Sequence, residues 1–181
     1  IKKSDFVIHL AGENRPQDDE DFEIVNSGLT SLICDEIRSS KKNIPIILAS
    51  SRQAEYDNLY GKSKLGAEIA IKNLEKETGN LSYIYRLPGV FGKWCKPNYN
   101  SVVATFCHNI SQDMPIQIND TSLELNLVYI DDVIEEFIKI SQGAKEERKN
   151  LSVQPEYKIT LGDLAKQIKA FKESRDLLIT E

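Results

Sequence analysis

A tyrosine and a lysine four positions apart share one face of a helix, and Tyr60 and Lys64 are the only such pair among the seven tyrosines of this chain. Ser51 precedes them, closing the apolar run Ile44-Pro45-Ile46-Ile47-Leu48-Ala49 with Ser50. A phenol with an ordinary pKa near 10 works poorly as an acid or base at neutral pH until a nearby cation favours its phenolate. Lys64 is expected to supply that cation and bring Tyr60 towards working pH. Ser51 is expected to hydrogen-bond both the phenol and the oxygen of a bound carbonyl, stabilising charge as it develops there. The set suits delivery of a proton to a carbonyl oxygen while hydride reaches its carbon. Alone, the pair reads first as an exposed helix pair; the strand ending in Ser-Ser just before it supplies the weight for chemistry.

The elements that must position these groups alternate between strand and helix. Residues 5–10, 44–50 and 81–86 are short apolar runs of the kind buried on both faces of a parallel sheet. Between them, Phe22, Val25, Leu29, Leu32, Ile33 and Ile37 recur at helical spacing over residues 19–40, and a second long helix covers 59–77, stopped by Gly79. Residues 87–100 read as a loop, 101–112 as a helix, 123–130 as a strand, 131–142 as a helix and 143–156 as a polar loop. A short strand at 157–159 leads into a helix reaching about residue 174, opened by Thr160-x-x-Asp163. This order predicts an α/β fold with a mostly parallel sheet covered on both sides, divided as 1–115 and 116–181. Ligands of such sheets bind beyond the carboxyl ends of the strands, here Ala11-Gly12-Glu13-Asn14, Ser50-Ser51 and Leu87-Pro88-Gly89.

Composition excludes other classes. With a net charge of −5 and scattered basic residues there is no stripe for nucleic acid. The three cysteines, Cys34, Cys95 and Cys107, share no metal-binding spacing with one another or with His9 and His108, so neither a disulfide framework nor a metal site is expected. The apolar run 6–12 is too short to cross a bilayer, and a cytoplasmic, reducing location is expected. His9 reads as a core histidine, and Asp131-Asp132 as carboxylates at a helix start rather than a metal pair. Asn98, Tyr99 and Asn100 are candidates for holding a sugar or diphosphate, with Trp94, Lys93 and Lys96 as further contacts.

His9-Leu10-Ala11-Gly12, Ser50-Ser51, Tyr60-Gly61-Lys62-Ser63-Lys64, Arg86-Leu87-Pro88-Gly89-Val90-Phe91-Gly92 and Val128-Tyr129-Ile130-Asp131-Asp132-Val133 stand in the order seen in extended short-chain dehydrogenases, the NAD-dependent epimerase/dehydratase family, which the chain resembles over nearly its whole length. The run Phe91 to Ser101 and the short gap between Ser51 and Tyr60 are similar to reductases of capsular polysaccharide synthesis, bifunctional enzymes in which a metal-binding cupin domain follows the reductase. The resemblance implies a Rossmann-type doubly wound sheet with a small C-terminal substrate-binding portion, and a catalytic Ser51, Tyr60 and Lys64. It implies that Leu10, Ala11 and Gly12 line NADPH or NAD(H), that Lys64 also binds its ribose, that Asn26 supports the site and that Pro88, Gly89 and Val90 lie beside the carboxamide. The implied reaction is reduction of the 4-keto group of a UDP-2-acetamido-2,6-dideoxy-hexos-4-ulose on the route to N-acetyl-L-fucosamine, by a homodimer formed through the two long helices. Epimerase, dehydratase and non-catalytic NADP-sensing roles are the alternatives.

The chain holds no Gly-x-x-Gly-x-x-Gly run and no cupin region. A fragment lacking its fingerprint unit is therefore expected, binding NADPH at least about tenfold more weakly than the whole protein, with the residue that chooses NAD or NADP outside it. Glu124 and Asn126 stand where many relatives carry a substrate-binding Arg.

Overall fold

The computed structural model describes residues 1, 3–143 and 151–177, and residues 144–150 of the expected loop at 143–156 lie outside them. The chain divides into two compact units, residues 1–87 with 134–153 and residues 88–133 with 154–181. The expected division at 115/116 falls inside the second.

The first unit is built on a parallel sheet in the order β1 (Val7–His9), β2 (Ile46–Ser51), β3 (Ser82–Leu87). In β2, Ile46, Ile47 and Leu48 are buried on both faces, as a central strand under helices requires. β1 is shorter than expected, and at the edge of the described sheet it leaves Ile8 exposed. The first long helix consists of α1 (Glu20–Phe22), a π-helical stretch (Glu23–Gly28) and α2 (Leu29–Ser40). α3 (Leu59–Thr78) is started by Asn58, whose side chain accepts from Gly61 N at 2.7 Å, and stopped by Gly79 at φ +71°, the left-handed conformation that glycine adopts without steric cost. Cys34 and Ile37 of α2, Ala67, Ile71 and Leu74 of α3, and Ile44, Ile46 and Leu48 form one core. Each large aliphatic side chain so buried contributes about 1.5–3 kcal/mol.

The second unit pairs β4 (Gly89–Phe91) parallel with β5 (Glu124–Tyr129), and β5 antiparallel with β6 (Glu156–Thr160). β4 lies within the segment expected to be a loop: three residues between Pro88 and Gly92 carry no periodicity, and only their pairing with β5 makes them a strand. α4 (Val102–Ser111) and α6 (Leu161–Leu177) pack around Phe106, Ile110, Leu161, Leu164 and Ala165. Thr160 caps α6 as its spacing predicts, accepting from Asp163 N at 3.1 Å and donating to Asp163 Oδ2 at 2.9 Å. α5 (Ile130–Ser141) opens on Asp131 and Asp132. Among the described residues no helix is long and apolar enough to cross a membrane.

Candidate active site

Ser51, Tyr60 and Lys64 all belong to the first unit, at the end of β2 and the start of α3. Ser51 is hydrogen-bonded to the Tyr60 phenol, and its Oγ accepts from Gln53 N at 3.2 Å, which sets the short 3-10 turn leading to α3. Phe22 lies against the Tyr60 ring, with centroids 5.8 Å apart. Burial pushes the phenol above its ordinary value and the bond to Ser51 pulls it back. The expected lowering by Lys64 is absent: the ammonium acts elsewhere. Lys64 is buried and its Nζ donates to the Ala49 carbonyl at 3.0 Å. Burial lowers its pKa, opposed by the charge of Glu68. Helical spacing places both side chains on one face, but the β2 carbonyl decides where the ammonium goes.

Gly12 stands over this arrangement. A Cβ there would lie 2.8 Å from Asn26 Oδ1 and 3.3 Å from Lys64 Nζ, so glycine keeps an approach to the ammonium open. The buried Asn26 amide ties the loop after β1 to α3: its Oδ1 accepts from Glu13 N, and its Nδ2 donates to the Glu13 carbonyl and to Ser63 Oγ, each at 2.9 Å. Ser63 Oγ in turn donates to the Tyr60 carbonyl at 2.8 Å. Asn26 and Ser27 are consecutive, yet both reach Ser63, since Ser27 Oγ donates to the Ser63 carbonyl at 2.9 Å. The wider turn of the π-helical stretch brings successive side chains closer in direction, and such stretches are frequent at functional sites. Asn26→Ala would leave Glu13 N–H and Ser63 without these partners and is expected to cost about 1–3 kcal/mol, read as a lower urea midpoint at unchanged slope.

His9 is a core histidine, as its buried strand suggested. Its Nε2 lies 2.8 Å from Thr30 Oγ1, which donates its own proton to the Asn26 carbonyl and therefore accepts from the imidazole. Burial, then the Lys64 charge, lowers its pKa and favours the neutral ring. Leu10 and Ala11 are exposed beyond β1.

The other candidates belong to the second unit. A Cβ on Gly89 would fall 2.9 Å from Leu127 Cδ2, the end of a side chain on β5, and 3.3 Å from the Asn126 carbonyl oxygen; Pro88 and Val90 flank it. Asn98 takes a left-handed backbone at φ 53°, its N–H donates to Thr105 Oγ1 at 2.9 Å, and its Nδ2 lies 3.4 Å from Asn109 Oδ1. Lys96 sits over the Tyr99 ring at 5.6 Å, Asn100 is exposed and Trp94 is 95% exposed. Lys93 pairs with Asp131 Oδ2 at 2.9 Å, which raises its pKa.

A family model described as the NAD dependent epimerase/dehydratase family matches residues 1–154. The chain belongs to this family. Within the family it is 51% identical over 180 residues to a UDP-2-acetamido-2,6-beta-L-arabino-hexul-4-ose reductase of Pseudomonas aeruginosa, covering 99% of this chain and 48% of that protein. It thus spans about half the length of the curated relative it matches. It superposes on the capsular polysaccharide assembling protein CapF of Staphylococcus aureus with a TM-score of 0.84 at 43% identity, covering 96% of this chain and 47% of the other. A UDP-glucuronic acid 4-epimerase of Bacillus cereus in complex with NAD shares the fold at 18% identity, with a TM-score of 0.81 over 94% of this chain and 60% of its own. The Rossmann-type α/β class read from the sequence is the class found.

Sequence reasoning assigned no role to Glu13, Ser63, Ser50, Glu68 or Arg86. Glu68 follows Lys64 by one helical step and Ser63 follows Tyr60 by three, so helical spacing offered a signal for both. Nothing local announced that Glu68 meets Ser50 and Arg86 on two strands, or that Ser63 meets Asn26 and Ser27.

Proposed function

We propose that this chain carries the catalytic machinery of a nucleotide-sugar ketone reductase. The observation that supports this reading is the hydrogen-bonded Ser51–Tyr60 pair, with Lys64 one turn along and open to the Gly12 approach. The residues fit the nicotinamide-ribose end of a dinucleotide: Lys64 has one protein acceptor here, the Ala49 carbonyl, and three N–H groups to give. Lys64 would hold ribose hydroxyls, with Leu10, Ala11 and Gly12 lining the approach, Asn26 holding the loop from below, and Pro88, Gly89 and Val90 beside the carboxamide. NADPH is the proposed cofactor, and when bound it supplies the hydride.

Ser51 would hold the substrate's keto oxygen and Tyr60 would give it a proton. A phenol held above its ordinary pKa remains protonated at neutral pH, which is the form that ketone reduction consumes. A dehydratase would need an acidic pair near Ser51, where the chain has Arg52 and Gln53.

The relative's name points to the substrate, the 4-keto group of a UDP-2-acetamido-2,6-dideoxy-hexos-4-ulose, consumed in capsular polysaccharide synthesis in the cytoplasm. Asn98, Tyr99 and Asn100 are proposed as its contacts from the second unit. The test is the full-length gene product with this UDP-sugar and NADPH or NADH: substrate-dependent loss of NADPH absorbance supports the reading, and binding of NADPH without turnover supports a sensor instead.

The assembly proposed is a homodimer through α2 and α3, which expose Leu32, Leu65 and Ile69. Light scattering on the full-length gene product at micromolar concentration should give twice the monomer mass; a monomer would sink this arrangement.

A further inference from the structure

Three successive residues of β2 are tied to one face of α3. Ser51 meets the Tyr60 phenol, the Ala49 carbonyl accepts from Lys64 Nζ at 3.0 Å, and Ser50 Oγ donates to Glu68 Oε1 at 2.6 Å. Residues 60, 64 and 68 follow one another at helical steps of four, so the face that carries the proton donor and the cation continues into a carboxylate. That carboxylate is 1% exposed and takes two further hydrogen bonds from Arg86, Nε to Oε1 at 2.8 Å and the terminal nitrogen to Oε2 at 2.7 Å. Ser50 and Arg86 are partners in the β2–β3 register, one rung before Ser51 and Leu87. Glu68 therefore grips both strands at the rung beneath Ser51.

We propose that Glu68 is a positioning residue, whose buried carboxylate locks α3 to the ends of β2 and β3 and holds Lys64 and Ser51 as one rigid set for the reaction proposed above, on which this inference rests. A buried charge is costly unless fully paired, and a neutral core would serve stability as well; here the charge lies one helical turn from Lys64. The ionisable groups around this pair are His9 on β1, Tyr60 on α3, and beyond Glu68 the Arg86 guanidinium, Glu55 at 2.9 Å from it and Lys72 at 3.6 Å from the carboxylate. Burial lowers the Lys64 pKa, and the Glu68 charge opposes this. Arg86 and Ser50 keep Glu68 ionised against its own burial.

The test uses the full-length gene product with Glu68→Gln, read by the pH profile of ketone reduction and by an NMR titration of the Lys64 ε-carbon in the unligated protein. Loss of the carboxylate removes the attraction that favours the ammonium, so Lys64 should release its proton at lower pH. The expected result is a kcat at least about tenfold lower with KM within about threefold, and an alkaline limb and Lys64 midpoint both lower by about one pH unit. Glu68→Asp, which keeps the charge, should restore most of the Lys64 midpoint. A folded Glu68→Gln protein in which either kcat or the Lys64 midpoint stays at the wild-type value overturns the proposal, since a scaffold role alone moves no titration. Should that variant not fold, Glu68→Gln with Arg86→Leu leaves no buried charge unpaired and is judged by the same readouts. Wild-type protein inactive towards the 4-keto sugar would sink the proposed function, and the Lys64 midpoint would then decide the positioning claim by itself.

Discussion

Tyr60→Phe in the full-length gene product is expected to lower ketone-reducing turnover by about 100-fold or more, the scale on which a general acid contributes, with nucleotide affinity nearly unchanged. The substitution is clean because the ring keeps its place against Phe22 and only the hydroxyl bonded to Ser51 is lost. Ser51 Oγ retains Gln53 N, so the turn into α3 should stand. The pH dependence carries a sign. Since burial holds the phenol above its ordinary value, the acid form persists through neutral pH, and kcat/KM should be flat there and fall only on the alkaline side. In the Phe variant the residual rate should lose whatever part of that fall belongs to Tyr60. Turnover near the wild-type rate would remove Tyr60 from the role of proton donor.

Gly61→Ala should be the most damaging small substitution in the first unit. In an ordinary helix interior this change gains about 1 kcal/mol. Here the new Cβ would lie 2.2 Å from the Gln53 carbonyl oxygen and 2.5 Å from that of Tyr56, both backbone atoms that cannot swing aside. The first turn of α3 would have to retreat from the turn that follows Ser51, separating Tyr60 from its partner. A loss of about 3 kcal/mol, the upper part of the range for overpacking, is expected, together with lower turnover. Chemical denaturation measures it directly, and a variant as stable as the parent would show that α3 has more room than its contacts describe.

The reactive set was legible because its chemistry depends on local spacing: a serine closing an apolar run, then a phenol and an ammonium one helical turn apart. The long helices were legible for the same reason, and Gly79 marked a stop that the left-handed cap confirms. What could not be read was long-range. Glu68 looked like any helix-surface glutamate until Ser50 and Arg86 closed on it from two strands. β4 exists only through β5. The electrostatic expectation for Tyr60 failed on a single contact, because spacing shows which face Lys64 occupies but not that the Ala49 carbonyl claims its ammonium. The run 5–10 was read as buried on both faces, and among the described residues β1 pairs only with β2 and leaves Ile8 exposed.

The π-helical stretch at Glu23–Gly28 lengthens the chain locally, and this changes which kinds of genetic variation the site tolerates. A π turn accommodates one residue more than an α turn over the same advance, so removing one residue between 23 and 28 could be absorbed by relaxing to an ordinary helix. α2 would survive intact, with Cys34 and Ile37 still in the core. The casualty would be the double reach of Asn26 and Ser27 to Ser63, and with it the hold on the loop that carries Gly12. A single-codon deletion there would therefore yield a folded but disabled protein, a lesion that abundance measurements would miss and that substitution scans never sample.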